Sequence, residues 1–494
     1  MFNIKRNRLV KKSYIFLAYR RKLIMDIKFG EMELKIFEFV CELARNITVS
    51  ILEQLDERLR NERDKKRYRM KDKNTTTIKT IYGNVEYARR YYFDNEKKEY
   101  VYLLDEEMKM NRVGLFSENM ANLIIKECVN EPYNKAAASV SAATGNYISS
   151  VGAWKLVQEV GKNIEADENI NIEDMDRGIN KGAKQTNVLF QETDGVYLKM
   201  QGEDRKKAKN QELKLATIYE GWYEGNRHKL INKKVIAGFE DGTSFMKRRL
   251  AFVKNIYNYD KIQYKMVNGD GAAWIEPSEV ENITYKQLDQ FHILKKITGV
   301  IKNKKIKGMI LKLFADKNIE KMLDTIITYA DSIDNDNQTN KEAENARDLY
   351  TYLYNNKDGI IKYKDEVKLP EAPEGTEYRN MGVQENQNCA LVTMRMKHRR
   401  MTWSVAGANN LAKVICANEN GDLDKYIENT YEFRIPLGYV EVDRKDIASN
   451  TRIPQIVGKG NNIYAELINN SVPAYTGAST TSKILRSIIN GGYN

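Results

Sequence analysis

The sequence predicts a mixed α/β protein of two or three domains: an α+β N-terminal region, then a strand-rich core interrupted by an all-α segment. Three observations carry this expectation. Five short apolar runs between residues 188 and 288 have the texture of strands and enclose a helical stretch. Ahead of them, apolar residues at spacings of three and four open the patterned part of the chain near residue 31. After them comes a charged block of helical period at about 296–365. At 494 residues the chain is long for a single core.

Composition narrows the class. Hydrophobic residues are 42% of the chain, enough for globular cores, and no stretch is long and apolar enough to span a bilayer. The formal net charge of +12 suits a polyanionic partner, although many basic proteins share it. Cys41, Cys128, Cys389 and Cys416 lie far apart with no Cys-x-x-Cys pair. That argues against a structural zinc or a disulfide framework and fits a reducing compartment. The apolar run Tyr14 to Tyr19 is too short for a signal peptide. A soluble, cytoplasmic protein is expected.

Residues 1–30 read as a basic arm, dense in Lys and Arg through about residue 24, with Met25 as an alternative start. From Glu31 to Arg69 the spacing of Leu34, Phe37, Val40, Cys41, Ala44 and Ile47 predicts a helix. Its basic end, Arg58 to Lys73, fits a phosphate-contacting stripe or a solvated face equally well. Gly83-Asn84 between two alternating runs predicts a hairpin, and Glu99 to Leu104 a third strand. The interleaved Tyr and Arg suit nucleic acid, but cross-strand aromatic packing explains them more simply.

Residues 117–162 predict three helices: one from Ser117, one with Pro132 in its first turn, and one capped by Ser149 after the break at Thr144-Gly145-Asn146. Helix, short Gly-containing turn, helix is the outline of a helix-turn-helix, with Trp154 and Lys155 as DNA-contacting candidates. Any small helical bundle has the same outline. The N-terminal region is thus set at 31–162. Residues 163–186 shift from acidic to Gly and Lys and read as a linker.

The core follows. Val188, Phe190, Val196 and Leu198 alternate, and Asp194 falls on their face. Lys214 to Tyr219 and Lys234 to Phe239 read as the next strands, Ser244 to Asn258 as a helix, Lys261 to Val267 as a strand ending in Asn-Gly-Asp270-Gly, and Ile283 to Leu288 as a fifth strand. The order β-β-β-α-β-α-β is, by analogy, that of the ribonuclease-H-like fold. Glu385 shares a helical spacing with Cys389, Val392 and Met396, which predicts a buried face turned to the sheet. Asp194, Asp270 and Glu385 are therefore the candidate catalytic and metal-binding residues. Three converging carboxylates suit two Mg²⁺ ions, with Mn²⁺ as substitute, acting on a phosphodiester. Such chemistry needs neither His nor Cys, and the chain has only three histidines.

The Asp pair is 76 residues apart, about right for three strands and a helix. Glu385 lies 115 residues further on, and the excess at 296–365 reads as an all-α insertion with helices at 306–314, 319–333 and 342–354. The expected layout is then core first part 187–295, helical insertion 296–365, core second part 366–417 and C-terminal tail 418–494.

Asp194-Gly-Val, Tyr219-Glu-Gly-Trp222, Asn268-Gly-Asp-Gly-Ala-Ala-Trp-Ile275, Leu288-Asp-Gln-Phe-His292, Arg395-Met-Lys397 and Met401-Thr-Trp-Ser404 together resemble bacterial insertion-sequence transposases of the ISLre-two type, related to the Mutator-like group. The resemblance covers about residues 30–420. It implies an Asp-Asp-Glu triad on a ribonuclease-H-like core with a helical insertion before the Glu. It also implies metal-dependent cutting and joining of double-stranded DNA at element ends, in a homodimer or larger complex at the nucleoid. Asp289-Gln-Phe-His292 fits the group's Cys/Asp-x-x-His motif, as active-site support or as a plain capping Asp with a packed His. Arg395, Lys397, Arg399, Arg400 and Trp403 are candidate DNA contacts, or a solvated helix face with one packed Trp. A structure-selective nuclease or resolvase on the same core, or a decayed, non-catalytic DNA-binding protein, are the alternatives.

Overall fold

A computed structural model describes residues 28–109, 116–179, 182–271, 283–334 and 341–431. The basic arm at 1–24, Met25, the Ala272–Ile275 part of the second Asp motif and the tail beyond Tyr431 lie outside the described residues. The described chain falls into two compact units, one within 28–124 and 137–149, the other within 125–136 and 150–430.

In the first unit a 34-residue helix, α1 (Phe29–Glu62), covers a three-stranded antiparallel sheet of β1 (Tyr68–Thr80), β2 (Gly83–Asp94) and β3 (Glu99–Val101). Leu52 and Leu55 pack on Ile78, Val85 and Tyr87 to form its core. The helix ends seven residues before the expected Arg69. There the Asp64 carboxylate accepts from the Lys66 and Arg67 N–H groups, and the chain turns into β1. The hairpin forms with its two-residue loop at Ile81-Tyr82 rather than Gly83-Asn84, since Thr80 pairs with Gly83. Gly83, at φ +117°, supplies the conformation other residues avoid. Several cations of the basic stripe are committed to neighbours: Arg60 to Glu57, Arg58 to Glu62, Arg67 to Asp94 and Glu96.

The expected three helices appear as α2 (Glu118–Asn130), α3 (Tyr133–Thr144) and α4 (Ser150–Asp176). Residues 163–176 are not a linker: α4 runs through them without a break. Its apolar positions Ala153, Leu156, Val157, Val160 and Ile164 are buried, and it packs within the second unit on α5 (Gly242–Ile256) and α11 (Val405–Asn420). The acidic residues that gave the segment its linker texture lie along this helix, and Glu168 binds the buried Arg248 and Lys413.

The second unit is built on a five-stranded sheet of order β10-β9-β4-β5-β8, from β4 (Val188–Lys199), β5 (Asn210–Tyr219), β8 (Lys234–Gly238), β9 (Tyr264–Gly269) and β10 (Tyr285–Leu288). Strand β5 is antiparallel to β4 and β8, whereas β4, β9 and β10 are mutually parallel. Alternation along β4 divides the core. Leu189 joins Ile218, Ile236, Phe245 and Val253 on one face, while Val188 and Phe190 join Tyr219, Trp222, Met266 and Tyr363 on the other. A small sheet, β11-β6-β7 (Thr376–Glu377, Gly221–Tyr223, Asn226–Ile231), was not anticipated.

The helices α6 (Gln290–Val300), α7 (Lys304–Ala315), α8 (Ile319–Ile333) and α9 (Lys341–Asn355) pack around one core of Ile293, Ile297, Ile310, Met322, Ile326 and Leu353. Asp289, Asn303 and Asn318 cap the first three, each accepting from a first-turn N–H. The chain then reaches α10, an α-helical turn at Gln384–Gln387 that widens into a π-helix over Asn388–Lys397, and ends with α11 and α12 (Leu423–Tyr431). Residues 405–417 are thus a buried helix that sequence periodicity did not single out.

Candidate active site

Strand register sets the site. Glu192 of β4 pairs with Asn268 of β9, and Gly269 pairs with Leu288 of β10. One or two residues beyond these pairs stand Asp194, Asp270 and Asp289, so three adjacent parallel strands each present an acid at the same level of the sheet. Asp194 lies on the face of β4 that carries Glu192. Its Oδ1 accepts from the Gly195 N–H at 2.8 Å and its Oδ2 from Asn388 Nδ2 of α10 at 2.7 Å.

Charge couples these groups. Burial pushes the Asp194 carboxyl up to about 6, against the Gly195 N–H and the positive field of His292. The negative charges of Asp270 and Glu385 add to the rise, so each of these two acids lies within electrostatic range of Asp194. His292 is held above its ordinary value first by its hydrogen bond to Asp289, and further by Asp194 and Asp270. Asp289 is held low: burial alone would raise it, but bonds from the His292 ring and backbone and from Asn268 outweigh that. Asp289 is thus both the helix cap and the partner of the His292 ring, Oδ1 to Nδ1 at 3.1 Å.

The expected burial of Glu385 does not hold. Gln384, Asn388, Leu391, Val392, Arg395 and Met396 form the buried stripe, while Glu385 and Cys389 are exposed. The π-helix has a longer repeat than the 3.6 residues on which the expectation rested, so the buried face drifts off Glu385. The nearby Glu377 is engaged by Arg379. Among the described residues, no group of three or more His, Cys, Asp or Glu side chains is drawn together as a metal cage. The chemistry of the set nevertheless suits a hard cation: oxygen donors only and like-charged, with Asp194 partly buried and repelled by the other two.

Two expected DNA contacts are corrected. Arg395 is 5% exposed and Trp403 8%. The guanidinium lies against the rings of Tyr133 and Trp403 and donates to the Cys128 carbonyl at 2.8 Å, and Trp403 Nε1 donates to the Met396 carbonyl. Both are core residues. Lys397 and Arg400 are exposed, as are Trp154 and Lys155 on the outer face of α4, and the Arg399 side chain lies outside the described residues. Sequence reasoning missed Glu192, Asn268 and Asn388. The first two sit two residues before each Asp on a strand, hence on the same face, and that spacing was the signal available.

The fold and site define a mixed α/β protein with an acidic centre where β9 and β10 end beside the middle of β4. Residues 23–430 match the family described as "Uncharacterised protein family (UPF0236)", and the chain belongs to that family. Similar proteins include a UPF0236 protein of Caldanaerobacter subterraneus subsp. tengcongensis, 23% identical over 85% of this chain and 84% of its own, whose name carries eleven loci of one genome. A second from that organism, carrying four loci, is 22% identical over 85% of this chain and 84% of its own. A "UPF0236 protein in vanSb 3'region" of Streptococcus gallolyticus is 22% identical over 85% of this chain and 89% of its own. Among the described residues no helix is long and apolar enough to cross a membrane.

Proposed function

We propose that this protein is a DNA transposase that binds the ends of its own element and uses Asp194, Asp270 and Glu385 for metal-dependent phosphodiester hydrolysis and strand transfer. The observation that carries the reading is the electrostatic influence of Asp270, just after β9, and Glu385, on α10, upon Asp194 of β4. Support comes also from the sheet: numbering its strands in chain order gives 5-4-1-2-3 with the second antiparallel, the arrangement of a ribonuclease-H-like core. The helical insertion before Glu385 and the many loci that share one relative's name fit a mobile element.

In this reading the three acids would hold two Mg²⁺ or Mn²⁺ ions, which would supply Lewis-acid activation of a phosphodiester. Asn388 fixes the Asp194 carboxylate by one oxygen, and Asp289 orients the His292 ring beside the acids and favours its protonated form, which suits a DNA phosphate. The exposed Trp154 and Lys155 on α4, and Lys397 with Arg400, supply DNA contacts outside the acidic centre in this reading. Two ends must be brought together, so a homodimer or larger assembly acts on DNA.

The test is cleavage of DNA carrying the gene's flanking ends, with Mg²⁺, by wild type and Asp270→Asn. Nicking at the element boundary by wild type, with binding but no cutting by the variant, is expected. Equal cutting by both removes Asp270 from the chemistry.

A further inference from the structure

We infer that Glu192 is a positioning residue that fixes the start of the Glu385 helix against the strand of Asp194; its catalytic consequence rests on the triad reading above. Glu192 is fully buried in β4, two residues before Asp194 and on the same face. A carboxylate there is costly unless its oxygens are satisfied. They are: Gly382 N–H donates to both at 3.0 Å, Val383 N–H at 3.0 Å, Gln384 N–H at 3.4 Å, Tyr219 Oη at 2.5 Å and Asn268 Nδ2 at 2.9 Å.

Three of these donors are successive main-chain amides at the start of α10, the groups a first turn leaves without partners. A helix ordinarily meets them with its own capping side chain, but Val383 offers none. A carboxylate from the neighbouring sheet does so instead, and Gly382, at φ +130°, gives the chain the bend that enters it. A local Ser or Asp would cap the helix more cheaply, and a buried carboxylate is a poor way to gain stability. What a remote cap supplies is registry. It ties the amides next to Glu385 to the strand bearing Asp194, and Asn268 extends the tie to Asp289 at 3.1 Å.

The test uses the full chain with Cys41→Ser and a spin label on Cys389, exposed one turn beyond Glu385. Wild type, Glu192→Gln, Glu192→Asp and Tyr219→Phe are compared, with turnover measured on unlabelled protein. Gln keeps the volume but turns an NH₂ toward N–H donors. In Glu192→Gln the label spectrum should narrow and kcat on end-bearing DNA fall about 10- to 100-fold, as for lost outer-sphere support, with unchanged DNA Kd. Asp should recover part of both. Tyr219→Phe, which keeps the aromatic core, should move both the same way by less, and decides the matter if Glu192→Gln does not fold. A wild-type spectrum in Glu192→Gln, or a freed label with unchanged kcat, overturns the proposal. If wild type cuts nothing, the transposase reading fails and the label alone judges the tie.

Discussion

Gly161 offers a direct test of the packing that replaced the expected linker. A Cβ at this position of α4 would lie 2.5 Å from Asn410 Cβ and 2.6 Å from both its Cα and its carbonyl oxygen. Carbon atoms rest at about 3.5–4 Å, so α4 and α11 would have to part by about an ångström. Parting would also strain the buried bond from Asn410 Nδ2 to Gln158 Oε1, now 2.8 Å. Overpacking of this kind costs about 1–3 kcal/mol and the hydrogen bond about 1 more. Alanine's better helix propensity returns roughly 1. Gly161→Ala should therefore be less stable by about 1–3 kcal/mol. Gly308, inside α7, has nothing within 4 Å of its missing Cβ, so Gly308→Ala should gain roughly 0.5–1 kcal/mol from propensity alone. Urea unfolding midpoints should move in opposite directions. If Gly161→Ala rises as Gly308→Ala does, α4 does not lie on α11 in this register.

Thiol chemistry should separate the cysteines: Cys389, exposed, reacts first with an aromatic disulfide reagent, and Cys128 and Cys416, whose thiols burial pushes up to about 12, react only on unfolding. Arg395→Ala should destabilise the fold by about 2–4 kcal/mol in thermal unfolding, by hollowing the space between Tyr133 and Trp403. Arg395→Lys should not restore it, because an ammonium lacks the planar, several-donor guanidinium that lies beside both rings and binds the Cys128 carbonyl; a fold of wild-type stability in either would refute the core assignment. In protein kept free of divalent cations, proton NMR should show His292 titrating above the ordinary histidine value, and Asp289→Asn should lower it. Because His292 is raised and Asp289 depressed, the pair's stabilisation is lost as pH rises through the His292 pKa and as it falls through that of Asp289. A flat stability difference between wild type and Asp289→Asn across that window would count against the pairing.

What was legible in the sequence was periodicity that one strand or helix alone determines. The five strands, the helix after β8 and the insertion helices fall within a few residues of their expected bounds, because alternation and Asx caps act locally. Three things were not legible. Glu385 was expected on a buried face because a 3.6-residue repeat was assumed, whereas buried Gln384 on the preceding turn and buried Asn388 and Arg395 on the π-helix break that pattern. Residues 163–176 read as a linker because acids dominate their composition; the cations that Glu168 binds come from residues 80 and 245 positions away. Arg395 and Trp403 read as DNA contacts because basic and aromatic residues cluster there, and only tertiary packing reveals which of them turn inward.

The insertion has work to do at the acidic centre. Asp270 directly follows β9, and the next residue, Gly271, has φ +80°, a conformation that a side chain would disfavour. Tyr352 of α9 donates to the Asp270 carbonyl at 2.7 Å, and Asn356, one turn later, lies 3.0 Å from where a Cβ on Gly271 would stand. Burial, with the charges of Asp270 and Asp289, holds the Tyr352 hydroxyl protonated, as a donor, far above the ordinary range. Lys296 of α6 lies over the same ring at 3.9 Å. A short connection between β10 and α10 would leave Asp270 braced by the sheet alone. The four helices therefore fix the main chain of one acid from the insertion side, while Glu192 and Asn388 tie Asp194 to the helix of Glu385 from the sheet side. On that view the long spacing between Asp270 and Glu385 is part of how the site is held, and shortening the insertion would disturb Asp270 before it disturbed Asp194.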